Sequence, residues 1–93
     1  MNDRLQRFDR VEFVDYMPSD KEWGVLYVSL LFGLVICQCP DGCGEEAVMP
    51  IKPHDPNGWE YTEHDGLVTL SPSVLVQGCN AHFYIRENKV IWV

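Results

Sequence analysis

Trp59-Glu60-Tyr61-Thr62-Glu63-His64-Asp65-Gly66-Leu67-Val68-Thr69-Leu70 decides how this chain folds. Trp59 to His64 alternates in the two-residue period of a half-buried strand, and Leu67 to Leu70 is a second run of β-formers. Asp65-Gly66 between them is the two-residue connection that accepts positive φ at both positions, so the stretch predicts an antiparallel hairpin. Ser71-Pro72-Ser73 is expected to end it, because proline brings no amide donor to a ladder.

The same pattern extends outward in both directions. Val11 to Tyr16, Val25 to Leu31, Leu34 to Cys39 and Ala47 to Ile51 read as strands. Gly33 and the prolines Pro18, Pro50 and Pro53 interrupt them. Ala81 to Arg86, then Glu87-Asn88, then Lys89 to Val93 is again strand, turn, strand. Val74 to Gly78 is open between a short helix and a loop. The expectation is a mostly β chain of about seven short strands with little helix, and 93 residues leave room for one core. Residues 1–10 are polar and read as a flexible lead-in to a single domain over residues 11–93.

Fourteen acids against seven Lys and Arg give a net charge of −7, which disfavours nucleic acid, since phosphate neutralisation supplies most of that affinity. Arg4, Arg7 and Arg10 form the one basic cluster, but Asp3, Asp9 and Glu12 interleave with them. The N-terminus lacks the apolar centre of a secretory signal, and the uncharged run from Val25 to Pro40 falls short of the roughly 20 apolar residues that span a bilayer. A cytosolic compartment is expected, where thiols stay reduced and clustered cysteines more often hold metal than pair.

Cys37-Gln38-Cys39-Pro40-Asp41-Gly42-Cys43-Gly44 places three of the four cysteines on one strand end and turn, while Cys79 lies far downstream with His82 three residues on. Zinc takes thiolate sulfur and imidazole nitrogen in a tetrahedron, and two separated chelating pairs are a usual way to close one. Cys39, Cys43 and Cys79 are the expected ligands of one structural zinc ion. The fourth is His82 or Cys37, and the spacing from Cys79 favours His82. The fold expectation thereby becomes a small zinc-ribbon-like arrangement of sheets and hairpins.

Catalytic readings are weaker. Glu45 and Glu46 follow Cys43 and could serve an open zinc position as general base, but solvent-facing turn residues are the plainer reading. The His-x-Glu and Pro-Cys-x-x-Cys pattern of nucleobase deaminases is absent, as is a redox Cys-x-x-Cys. His54 and His64 read as surface histidines. Trp59, beside a Pro/Asn/Gly loop, is the aromatic residue singled out for partner contact.

Met17-Pro18, Gly24 to Ser29, Cys37-x-Cys39-x3-Cys43-Gly44, Asp65 to Ser73, Cys79-x2-His82-Phe83-Tyr84-Ile85 and Val90-x-Trp92 follow one order over roughly residues 11–93. In that order the chain resembles DUF6527, a group of small bacterial proteins. Cys37 stands where that family often has His, and Asp41 where it often has a middle Cys, so the resemblance implies that position 41 is not an essential thiolate ligand. Cys79 and His82 match its Cys-x-Ser-His, with Ala81 for Ser. The resemblance implies an accessory role beside ubiquitin-like proteins and their conjugation or deconjugation enzymes. The expected function is a zinc-binding adaptor or ligase-like protein-interaction module, without catalytic residues. A small zinc hydrolase with an open coordination position is the alternative, and a zinc-ribbon RNA-binding protein the second.

Overall fold

Eight strands follow one another in the computed structural model, which describes residues 4–93. They are β1 (Arg10–Phe13), β2 (Val25–Ser29), β3 (Leu34–Gln38), β4 (Glu46–Pro50), β5 (Glu60–His64), β6 (Leu67–Leu75), β7 (His82–Arg86) and β8 (Lys89–Trp92). Among the described residues there is no helix, so the mostly β expectation holds, with two four-stranded sheets in the orders β1-β2-β3-β4 and β5-β6-β7-β8.

The decisive hairpin forms as read. Glu60 pairs with Ser71 and His64 with Leu67. Asp65 and Gly66 turn the chain at φ values of 53° and 80°, the double left-handed conformation that such a connection requires. Glu87 and Asn88 repeat the device between β7 and β8, at 50° and 65°. The Asn88 side chain is part of the fold there. Its Oδ1 accepts from Val68 N at 2.8 Å, and its Nδ2 donates to Gly66 O at 3.0 Å.

Strand alternation sends one face of each sheet inward, and the two faces share one core. Val28, Val35 and Met49 from the first sheet belong to one buried cluster with Val68, Leu70, Phe83 and Ile85 from the second. Each such side chain contributes about 1.5–3 kcal/mol relative to exposure.

Two local readings change. Ser71-Pro72-Ser73 does not end β6, which runs to Leu75. Leu70 pairs with Ile85 and Val74 with Phe83, so three residues of β6 face only Tyr84 on β7. This bulge accommodates the proline. Val74 to Gly78 is accordingly the end of that strand and a turn, and not a helix. The lead-in is also well tied. Leu5 N donates to Pro40 O, Phe8 N to Asn88 O and Asp9 N to Gly24 O, and Phe8 is 2% exposed within the core cluster. β1 then lies parallel to β2, the one parallel pair among the named strands.

Candidate metal centre and a serine–histidine pair

β3 ends at Gln38 and delivers Cys39 into a turn closed on both sides. Cys39 N donates to Glu45 O at 2.7 Å, and Gly42 N donates back to Cys39 O at 3.0 Å. Gly42 and Gly44 lie at φ of 80° and 94°, the left-handed conformation that glycine adopts without steric cost. Asp41 Oδ1 accepts from Cys43 N at 2.9 Å, and Cys43 Sγ accepts from Glu45 N at 3.4 Å. An N–H directed at sulfur favours the thiolate form.

The far half is the turn between β6 and β7. Asn80 N donates to Val76 O and Val76 N to Ala81 O, both at 2.9 Å. Gly78 and Asn80 take positive φ and lift Cys79 toward the first turn. Cys39 and Cys79 sulfurs stand 3.6 Å apart. A zinc–sulfur bond of about 2.3 Å makes the edge of a tetrahedron about 3.8 Å, so this separation, that of a thiol–thiol hydrogen bond and not of a disulfide, is compatible with two ligands of one ion.

Cys39, Asp41, Cys43 and Cys79 each offer one ligand atom, and these atoms lie within 4.8 Å of one another. These four residues could hold a metal ion. Cys39 is buried, Cys43 is exposed, and Asp41 and Cys79 are half-buried. Burial, and then the Asp41 carboxylate, push the Cys39 thiol well above its ordinary range. Asp41 raises the Cys43 thiol as well. Hydrogen bonds from the Cys39 and Cys43 thiols in turn hold the Asp41 carboxyl down, at about 2. The ionised carboxylate thus accepts hydrogen bonds from the protonated thiols of the metal-free cluster, and a divalent cation would displace those thiol protons.

The structure therefore brings Cys39, Cys43 and Cys79 together as the sequence groups them, and adds Asp41. The resemblance implied only that position 41 is no essential thiolate ligand; the place of Asp41 between two cysteines, at Cys-x-Asp-x-Cys, is the available signal for a carboxylate there. Neither candidate for the fourth position lies in the group. Cys37 is fully buried in the core, opposite Ala47 in the β3–β4 register, and burial, with Glu46 adding to it, pushes its thiol up to about 12. His82 opens β7 and is exposed, with its Nε2 2.9 Å from Ser73 Oγ. His54 and His64 are exposed, and Glu45 and Glu46 also face solvent.

The Ser73–His82 contact was missed because Ser73 appeared to follow a strand end. With β6 continuing to Leu75, Leu75 pairs with His82, and Ser73 lies two residues before Leu75, as a diagonal neighbour of the imidazole. A serine hydroxyl in hydrogen-bond reach of a histidine is the minimal arrangement for nucleophilic attack assisted by a general base.

Residues 13–93 match the family described as bacterial ubiquitination-like system serine protease (BubE), and the chain belongs to that family. The match corrects the resemblance to DUF6527, which the family finding does not support. It also ties the chain to a bacterial ubiquitination-like system, in keeping with the context that the resemblance implied. No curated protein and no solved structure matches the chain.

Proposed function

We propose that this member of the family is a serine peptidase acting within the ubiquitination-like system, with Ser73 as nucleophile and His82 as general base. A single structural zinc ion on Cys39, Asp41, Cys43 and Cys79 would hold the scaffold, in a reducing cytosolic compartment that keeps three thiols available. The observation that carries the reading is the 2.9 Å separation of His82 Nε2 and Ser73 Oγ. The family's description supports it independently.

The chemistry follows from the pair. As the Ser73 oxygen bonds to a substrate carbonyl carbon, His82 Nε2 takes the hydroxyl proton, and the tetrahedral intermediate forms. His82 then returns that proton to the leaving nitrogen as the carbon–nitrogen bond breaks. A water molecule, deprotonated by the same imidazole, releases the acyl group and restores the serine hydroxyl. Zinc bound by Cys39, Asp41, Cys43 and Cys79 would cross-link the two turns, and a set of four protein ligands would favour a structural over a hydrolytic metal.

A fluorophosphonate probe tests the assignment, because it labels serines activated in this way. Labelling is expected at Ser73, identified by mass spectrometry, and lost in His82→Ala. Cleavage of a ubiquitin-like fusion from the same system should disappear with it, in Ser73→Ala as in His82→Ala. A folded wild-type protein that neither labels at Ser73 nor cleaves would overturn the reading.

The non-catalytic reading, a zinc-dependent adaptor or ligase-like module that binds a ubiquitin-like protein or its conjugation enzymes, draws on one observation. Phe13, Tyr16, Leu30, Leu31 and Phe32 are all about half exposed or more, near the β2–β3 connection. If that reading is right, Ser73→Ala would leave the biological activity intact.

A further inference from the structure

The pairing partners of β6 change at its midpoint. β5 accompanies it only as far as Ser71, opposite Glu60, so from Ser73 onward that edge has no strand beside it among the described residues. Hydrogen bonding on the other edge sets which backbone groups face outward. Val76 N donates to Ala81 O, which turns Val76, and by alternation Val74, toward β7. The N–H and C=O groups of Ser73 and Leu75 therefore point away from β7. The Ser73 carbonyl accepts from Trp59 Nε1 at 3.3 Å on that open side.

β4 is arranged in the same way, as the last strand of its sheet. Cys39 N bonds to Glu45 O, so Glu45, Ala47 and Met49 face β3, and the backbone groups of Glu46 and Val48 face out. Pro50 O, next in that outward series, accepts from Trp59 N at 2.8 Å. Between the two open edges lies a groove of about 300 Å³, lined by Glu45, Glu46, Val48, Trp59 and Leu75 among others. Val48 and Leu75, which both line it, are 51% and 52% exposed.

We infer that this groove binds the substrate of the proposed peptidase: an extended polypeptide segment, added as a strand to the open edge of β6, with an apolar side chain followed by a basic one. The inference rests on Ser73 being the nucleophile and names what that nucleophile receives. Leu75 and Ser73 project from one face, separated by about 6.6 Å along the strand, so a segment paired at Leu75 comes within two residues of the serine, where the Trp59 indole caps the edge. Trp59, Val48 and Leu75 supply the apolar walls. Glu45 and Glu46 give one end negative charge; Lys21 pairs with Glu46 at 3.2 Å, while no ion pair engages Glu45 among the described residues. Main-chain pairing gives such a site affinity for any extended segment, and the walls and carboxylates give it preference.

The test uses the full chain carrying Ser73→Ala, so that binding is read without turnover. Two fluorescein-labelled octapeptides serve as probes in fluorescence anisotropy, one alternating leucine with lysine and one leucine with glutamate. The lysine peptide is expected to bind about tenfold or more tightly, the scale of one charge-assisted hydrogen bond. Glu45→Lys should cancel that preference. Leu75→Pro removes an outward N–H without touching the β6–β7 ladder and should weaken both peptides about tenfold. Val48→Asp gives a second reading on the opposite wall, should the proline variant melt early. Equal binding of the two peptides, or binding unchanged by the folded groove variants, overturns the inference. Fluorophosphonate labelling of Ser73 in the otherwise unaltered chain separates the two claims. Labelled serine with indifferent groove variants sinks the groove alone, whereas the expected binding pattern without labelling keeps the groove and sinks the peptidase.

Discussion

Acidifying the solution by one pH unit, through the range from about 6.5 to 5.5, is expected to weaken zinc binding about a thousandfold. The figure comes from the ligand set. Every thiolate must lose its proton before it can ligate, and cysteines ordinarily keep theirs until well above neutrality. Burial and the Asp41 carboxylate hold the protons on Cys39 and Cys43 more firmly still. Asp41 exchanges none, because its carboxyl is held at about 2 and is ionised throughout the range. Three thiols therefore release three protons per ion, and the logarithm of the affinity should change by about three per pH unit. Competition against a chromophoric chelator of known pH dependence measures the slope directly. A slope steepening toward four below about 6.5 would show an imidazole in the site, since histidine begins to hold a proton there. That result would place His82 on the metal and refute both the carboxylate ligand and the availability of His82 to Ser73. A slope near two would leave one thiol outside. Asp41→Asn should weaken binding while leaving the slope at three.

Three further outcomes concern the scaffold. Phe8→Ala should cost about 3–5 kcal/mol in urea unfolding, because the ring is 2% exposed in the shared core; an unchanged midpoint would return the segment before residue 11 to the status of a lead-in. Asn88→Ala should cost about 2–4 kcal/mol, leaving the Val68 amide without its acceptor and placing alanine at a φ of 65°. A loss under about 1 kcal/mol would show that the turn does not depend on that side chain. Among the described residues the buried Tyr61 Oη has no hydrogen-bond partner, so Tyr61→Phe should leave stability unchanged or raise it by about 1 kcal/mol. Clear destabilisation in the same unfolding assay would mean that the hydroxyl is satisfied in solution.

The legible parts of this chain are those whose signal is local. Asp65-Gly66 names its own turn, and Cys39 and Cys43 on one bend declare a shared purpose, whereas Cys37 beside them belongs to the core. What stayed hidden depends on partners remote in sequence. Phe8 and Leu5 are isolated apolar residues in a charged stretch, and the burial of Phe8 depends on the parallel entry of β1 and the Asn88 contact. Proline ordinarily ends a strand, so Pro72 concealed the continuation of β6, and with it the register that seats Ser73 beside His82. Asp41 looked like a turn residue because it is one; its Oδ1 holds the Cys43 amide even as the carboxylate joins the cluster.

The six residues from Val76 to Ala81 join the strand that carries Ser73 to the strand that carries His82, and Cys79 sits among them. Stripping the ion would thus slacken the very hinge that sets the serine–histidine distance. A chelator added to an activity assay should then abolish hydrolysis together with the cooperative melting transition, though no metal touches the scissile bond. Inhibition by chelators, usually taken as the mark of a metallopeptidase, would under the proposed function be the behaviour of a serine peptidase whose connecting turn is pinned by a metal.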